Sequence, residues 1–144
     1  MTVSGQSIRE HEAESLWEPC PYHVIELGLR YHDRETLYGR INRRVDKMVE
    51  MGLTEEVKAA REQGLTATAA QAIGCKELYS WLDGKETQEE ALEKLKQSTR
   101  RYAKRQLTWF GTDQRMRWIE PDTLAAGETP LDKAMEILEK EGMA

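Results

Sequence analysis

Two cysteines in 144 residues are too few and too far apart to organise a fold. Cys20 and Cys75 share no CxxC spacing, which excludes a zinc site of the usual pattern and a disulfide framework, and leaves both as small apolar residues. Long apolar runs are also missing. No stretch approaches the ~20 residues that cross a bilayer, and the opening MTVSGQSIREHEAESLW has no apolar segment of the secretory type. The expectation is a soluble, cytoplasmic protein with no membrane partner. His11, His23 and His32 lack the spacing of metal ligands, nothing resembles a nucleophile triad, and neither GxxxxGK(S/T) nor GxGxxG occurs. Internal repeats and low-complexity tracts are absent. So is any excess of positive charge: 21 Lys and Arg against 26 Asp and Glu give a net charge of −5. That balance argues against general adhesion to nucleic acid or membrane, and makes a local cationic cluster informative.

What is present is charge arranged on amphipathic segments: 33% of the residues are Asp, Glu, Lys or Arg, enough for one ordinary domain with a modest core. The predicted class is mainly α, with one strand near 22–30. Gly5, Pro19 and Pro21 punctuate a polar lead-in that holds a helical turn or two. YHVIELGLR, Tyr22 to Arg30, reads as a strand apolar on both faces. Two readings stand: the edge of a small local hairpin, or a strand whose sheet lies outside this sequence. Asp33 caps a helix through RETLYGRINRRVDKMVEM to Gly52, with Leu37, Ile41, Val45 and Met48 on one face. Thr54 opens another that ends at Gly64, and a short helix runs from about Lys76 to Leu82. Thr87 and Glu90 form a capping box for the longest element, which extends to about Phe110. MRWIE is a short extended piece, and Thr129-Pro130 with Asp132 opens a terminal helix. Trp17, Trp81, Trp109 and Trp118 default to core aromatics.

QSTRRYAKRQLTWFG, Gln97 to Gly111, places four cations together without an acid among them. At about 100° per residue, Lys104, Arg101 and Arg105 fall about 40°, 100° and 140° from Arg100, with Gln97 and Thr108 between them. Leu92, Leu95, Tyr102, Ala103, Leu107 and Phe110 take the opposite arc. Like charges at i,i+4 cost a helix roughly 0.2–0.5 kcal/mol per pair. One reading is a solvated face answered by carboxylates of a neighbouring helix. The other is a phosphate track, because cations beside Thr108, Trp109 and Phe110 suit a phosphate backbone with an unstacked base.

On the first long helix, Met51, Arg44, Leu37 and Met48 lie about 20°, 40°, 60° and 80° from Arg40, which predicts that Arg44 is buried in the apolar arc. A guanidinium there needs an anion. Arg40 and Arg44 together can grip a phosphate or diphosphate; the competing reading is a salt bridge to Glu35 or Asp46, which point away on the wheel. QAIGCK, Gln71 to Lys76, puts Gly74 in a loop before a helix, where backbone can approach a ligand or simply turn.

RINRRVDKMVEMGLTEEV, QAIGCKEL and above all TRRYAKRQLTWF resemble the C-terminal portion of bacterial tRNA dimethylallyltransferases, in order, from about Gly5 to Glu120. SGQSIRE resembles the turn before that family's returning strand. The resemblance implies transfer of a dimethylallyl group from dimethylallyl diphosphate, with Mg²⁺, to N6 of the adenine 3′ of the anticodon. It implies as partners the tRNA anticodon loop and the diphosphate substrate, and an intact enzyme that is monomeric. By matching position, Arg44 is the diphosphate-contacting arginine and Arg40 its neighbour. The tRNA contacts fall on Gln71, Ala72, Ile73, Gly74, Cys75 and Lys76, and on Arg101, Lys104, Arg105, Gln106, Leu107, Thr108, Trp109, Phe110 and Gly111. This chain has Cys75 where the family usually has Tyr, and Gly111 where it usually has Arg. The family's ATP-type P-loop, its general-base aspartate and most of its inserted helices would precede Met1, so the resemblance implies a fragment inactive alone. It divides the chain into residues 1–30, lead-in and returning strand, 31–120, the helical contacting region, and 121–144, linker and helix. An independent helical RNA-binding module and an adenylate prenyltransferase are the alternatives; free nucleotide gives a long cationic stripe no work.

Overall fold

The computed structural model describes residues 9–10, 21–64 and 72–142. The expectations for the rest of the lead-in, with His11, Trp17 and Cys20, and for Gln71, lie outside the described residues. The elements are β1 (Glu26–Leu29), α1 (Arg34–Glu50), α2 (Leu53–Glu62), α3 (Cys75–Leu82), α4 (Gln88–Phe110), β2 (Met116–Ile119) and α5 (Pro130–Lys140). No helix among them is long and apolar enough to cross a membrane.

Local chemistry sets most of the boundaries. Asp33 caps α1, its carboxylate accepting from the Glu35 and Thr36 amides at 3.3 and 2.7 Å and from the Thr36 hydroxyl at 2.6 Å. Those hydrogen bonds from Thr36 hold the Asp33 carboxyl below its ordinary range. Gly52 takes φ 100° and serves as the N-cap of α2. Thr54, expected to open the helix, is its second residue and is buried, its hydroxyl turned to Glu55 at 2.8 Å. Only glycine enters that left-handed region freely, so the α1–α2 joint depends on it. Thr87 and Glu90 form the reciprocal capping box of α4, and Thr129 with Pro130 opens α5.

Packing joins these helices in two places. Val57, Leu78 and Ala91 form a core between α2, α3 and α4, with Leu53, Tyr79, Trp81, Leu82 and Leu92 around it. Ile41, Val45 and Leu95 are buried where α1 meets α4. Lys96 clamps that crossing, its ammonium 2.7 Å from Asp46 and 3.2 Å from Glu93.

The strand at 22–30 is confined to Glu26–Leu29, and its partner is the MRWI segment, in parallel, with Glu26 opposite Met116 and Leu29 opposite Ile119. The hairpin reading is therefore overturned, since a hairpin pairs antiparallel and parallel strands need a crossover, here supplied by α1 to α4. Gly28 lies opposite Trp118, and a Cβ there would stand 2.7 Å from the indole ring. The Arg30 guanidinium lies 5.1 Å from the Trp118 ring and bonds Glu120 at 2.7 Å. Asp122, just beyond β2, accepts from the His32 and Asp33 amides at 2.9 and 2.8 Å, so the sheet fixes the start of α1. Leu27 and Leu29 of β1 remain exposed.

Candidate functional site

The outer face of α4 carries Arg101, Lys104 and Arg105, all exposed. Among the described residues none has a carboxylate within ion-pair distance; Arg105 lies over the Tyr102 ring at 5.6 Å. With Thr108, Trp109 and Thr112 they line an open groove of about 740 Å³. Arg100 leaves the stripe. Its Nη1 donates to Asn42 Oδ1 at 2.7 Å and its guanidinium lies 5.9 Å from the Tyr38 ring, so it ties α4 to α1. Trp109, expected in a core, is 77% exposed. The C-terminal half of α4 extends past the core, which also leaves Tyr102 and Phe110 half-exposed.

Helix geometry splits the predicted run from Lys104 to Gly111. Lys104, Arg105, Thr108 and Trp109 share the groove. Gln106, Leu107 and Phe110 turn to the other side and line an apolar pocket with Leu29, Leu37, Ala103 and Trp118. Gly111 closes the helix, and a Cβ there would stand 2.7 Å from the Leu107 carbonyl oxygen.

A second cationic set sits on α1. Arg40, Arg43, Arg44 and Lys47 fall within about 100° of one another on the helix, are all exposed, and line a pocket of about 480 Å³ with Tyr31, Leu37 and Ile41. Arg44 is not buried. The buried stripe is Ile41 and Val45, and Met51, expected to cover Arg44, lies beyond the helix end, 77% exposed. No carboxylate among the described residues pairs with Arg44; Asp46 is bound to Lys96, and Arg40 lies over the Tyr31 ring at 5.2 Å. Tyr38 and Asn42, which meet Arg100, lie about 160° and 200° from Arg40 around α1. The α1 set therefore faces away from the α4 contact, and the described residues form two separate cationic surfaces. Arg43 and Lys47 were missed in the sequence, although their wheel angles already align them with Arg40.

In the loop before α3, Ala72 and Ile73 are exposed and Gly74 is buried at φ 107°; in the first turn of α3, Cys75 is half-buried against the core and Lys76 is exposed. Lys76 stands 3.7 Å from Glu77 Oε1, and Glu77 Oε2 accepts from the Gly74 amide at 3.0 Å. Glu77, which fixes this loop, was detectable as an acid three residues after a helix-opening glycine. Among the described residues no group of three His, Cys, Asp or Glu could hold a metal ion. Magnesium needs a shell of oxygens, and the surroundings of Arg40 and Arg44 are cationic, so these residues do not fit it.

The family model described as IPP transferase matches residues 1–113. The tRNA dimethylallyltransferase of Shouchella clausii is 47% identical over 142 residues, covering 99% of this chain and 45% of that protein. That of Halalkalibacterium halodurans is 44% identical over 119 residues, covering 82% and 38%. The crystal structure of the full-length tRNA isopentenylpyrophosphate transferase from Bacillus halodurans superposes with a TM-score of 0.73 at 43% identity, covering 94% of this chain and 43% of that one. The chain thus spans less than half the length of these relatives. The match runs through both cationic surfaces, and this chain belongs to the IPP transferase family.

Proposed function

We propose that the chain is the C-terminal part of a tRNA prenyltransferase that moves a dimethylallyl group from dimethylallyl diphosphate to the exocyclic N6 of the adenine 3′ of the anticodon. The observation that carries this reading is the pair of cationic surfaces without carboxylate partners among the described residues. In the reaction the adenine amine forms a bond to C1 of the dimethylallyl group as the C–O bond to diphosphate breaks, and the amine loses a proton to the general-base aspartate that the family resemblance places upstream of these residues. Negative charge collects on the departing diphosphate. Arg40 and Arg44, one turn apart, supply fixed positive charge where it develops, while Arg101, Lys104 and Arg105 hold the RNA backbone and orient the loop. Residues 31–120 form the contacting region in this reading, residues 1–30 lead into a larger sheet, and 121–144 close the chain. Mg²⁺ arrives with the diphosphate or is held by parts of the enzyme that this chain does not span. The exposed Leu27 and Leu29 of β1 support the larger sheet, because a two-stranded sheet is marginal alone.

The test is direct. Given dimethylallyl diphosphate, Mg²⁺ and a tRNA anticodon stem-loop, the 144-residue chain binds the RNA and transfers no prenyl group. Transfer by the chain alone, or failure to bind the stem-loop, contradicts the proposal.

A further inference from the structure

The groove on α4 holds more than cations. Thr108 Oγ1 donates to the Lys104 carbonyl at 3.0 Å, and Thr112 Oγ1 donates to the Trp109 carbonyl at 2.7 Å. A hydroxyl has one proton, and both are committed to the main chain, so toward the groove these threonines present lone pairs only. Phosphate oxygens are themselves acceptors and gain nothing there; they belong to Arg101, Lys104 and Arg105. A threonine edge of this kind calls for a donor. The exocyclic amine of adenine or cytosine brings two protons, whereas the uracil edge brings one N–H between two carbonyl oxygens that would face the same lone pairs. Beside this edge stands the Trp109 indole, 77% exposed, a flat apolar surface bordered by positive charge. Base stacking on such a ring is tolerant of sequence, and the hydrogen-bonding edge supplies the discrimination.

We propose that Trp109, Thr108 and Thr112 form a subsite for an unpaired amino-bearing nucleobase, adenine or cytosine, stacked on the indole while Lys104 and Arg105 hold the adjoining phosphates. The subsite rests on the RNA reading above and extends it. No residue of this groove lines the α1 anion pocket, so the base held here is a different nucleotide from the one that meets the diphosphate.

The experiment is fluorescence anisotropy of the 144-residue chain with labelled RNA decamers of A, C or U. The A and C decamers bind several-fold more tightly than U. Trp109→Ala weakens the A decamer about fivefold or more, in line with alanine substitution at other stacking platforms, and Trp109→Phe keeps most of the affinity. The Thr108→Val, Thr112→Val double variant removes the preference for A and C, weakening the A and C decamers while U binds no more weakly than to the parent chain. Equal binding of all three decamers by the parent chain, an unaltered A decamer with Trp109→Ala, or an equal loss for all three in the threonine variant overturns the subsite. If Lys104→Ala and Arg105→Ala weaken binding while Trp109→Ala does not, the subsite alone falls. If the parent chain binds none of the decamers, the RNA reading falls and takes the subsite with it.

Discussion

Arg44 is the residue on which the proposed diphosphate contact turns. It stands at the border of the stripe formed by Ile41 and Val45, exposed, with Arg40 one turn before it and Lys47 one turn beyond. The charge is held by a rigid helix without being desolvated, so it can meet an incoming anion at little cost. Arg44→Ala should lower the affinity of the chain for inorganic pyrophosphate about tenfold, equivalent to about 1.4 kcal/mol, and leave RNA decamer binding within about twofold. Calorimetry against each ligand checks both; equal losses would make Arg44 structural. Its alignment with Arg40 was readable from helical angles, whereas its exposure was not. A wheel gives direction, but how far a neighbour covers that direction is a tertiary property. The same limit explains Arg100 and Trp109. Arg100 turned inward because Asn42 and Tyr38 of α1 met it, and Trp109 stayed out because the core ends before it.

At the scale of elements, the helices were legible and the strand pairing was not. Caps are local: Asp33, Thr87 and Thr129 each bond amides within three residues, so sequence alone locates the starts of α1, α4 and α5. Thr54 misled because Gly52, two residues earlier, already supplied the cap conformation. β1 and β2 lie at opposite ends of the helical crossover, and nothing in either strand names the other. The ladder that joins them leaves a steric constraint at one pair. Trp118 lies over Gly28, where a Cβ would come within 2.7 Å of the ring. Gly28→Ala should therefore cost about 1–3 kcal/mol by overpacking and lower the thermal midpoint, read by circular dichroism. An unchanged midpoint would mean that Trp118 can leave β1 freely.

For the whole molecule, an acidic chain keeps two cationic surfaces on different sides of one helical pair. Net charge alone argues against general adhesion to RNA; the clustering of the cations is what the RNA proposal rests on. The family was legible in TRRYAKRQLTWF, and three residues of that segment, Arg101, Lys104 and Arg105, are the exposed cations of the α4 groove. The measurement that tests this most directly is the salt dependence of binding to a tRNA anticodon stem-loop. If Lys104 and Arg105 each neutralise a phosphate, replacing either with Ala should flatten the slope of log K against log salt by roughly 0.7–0.9. A slope unchanged in both variants would contradict the phosphate track.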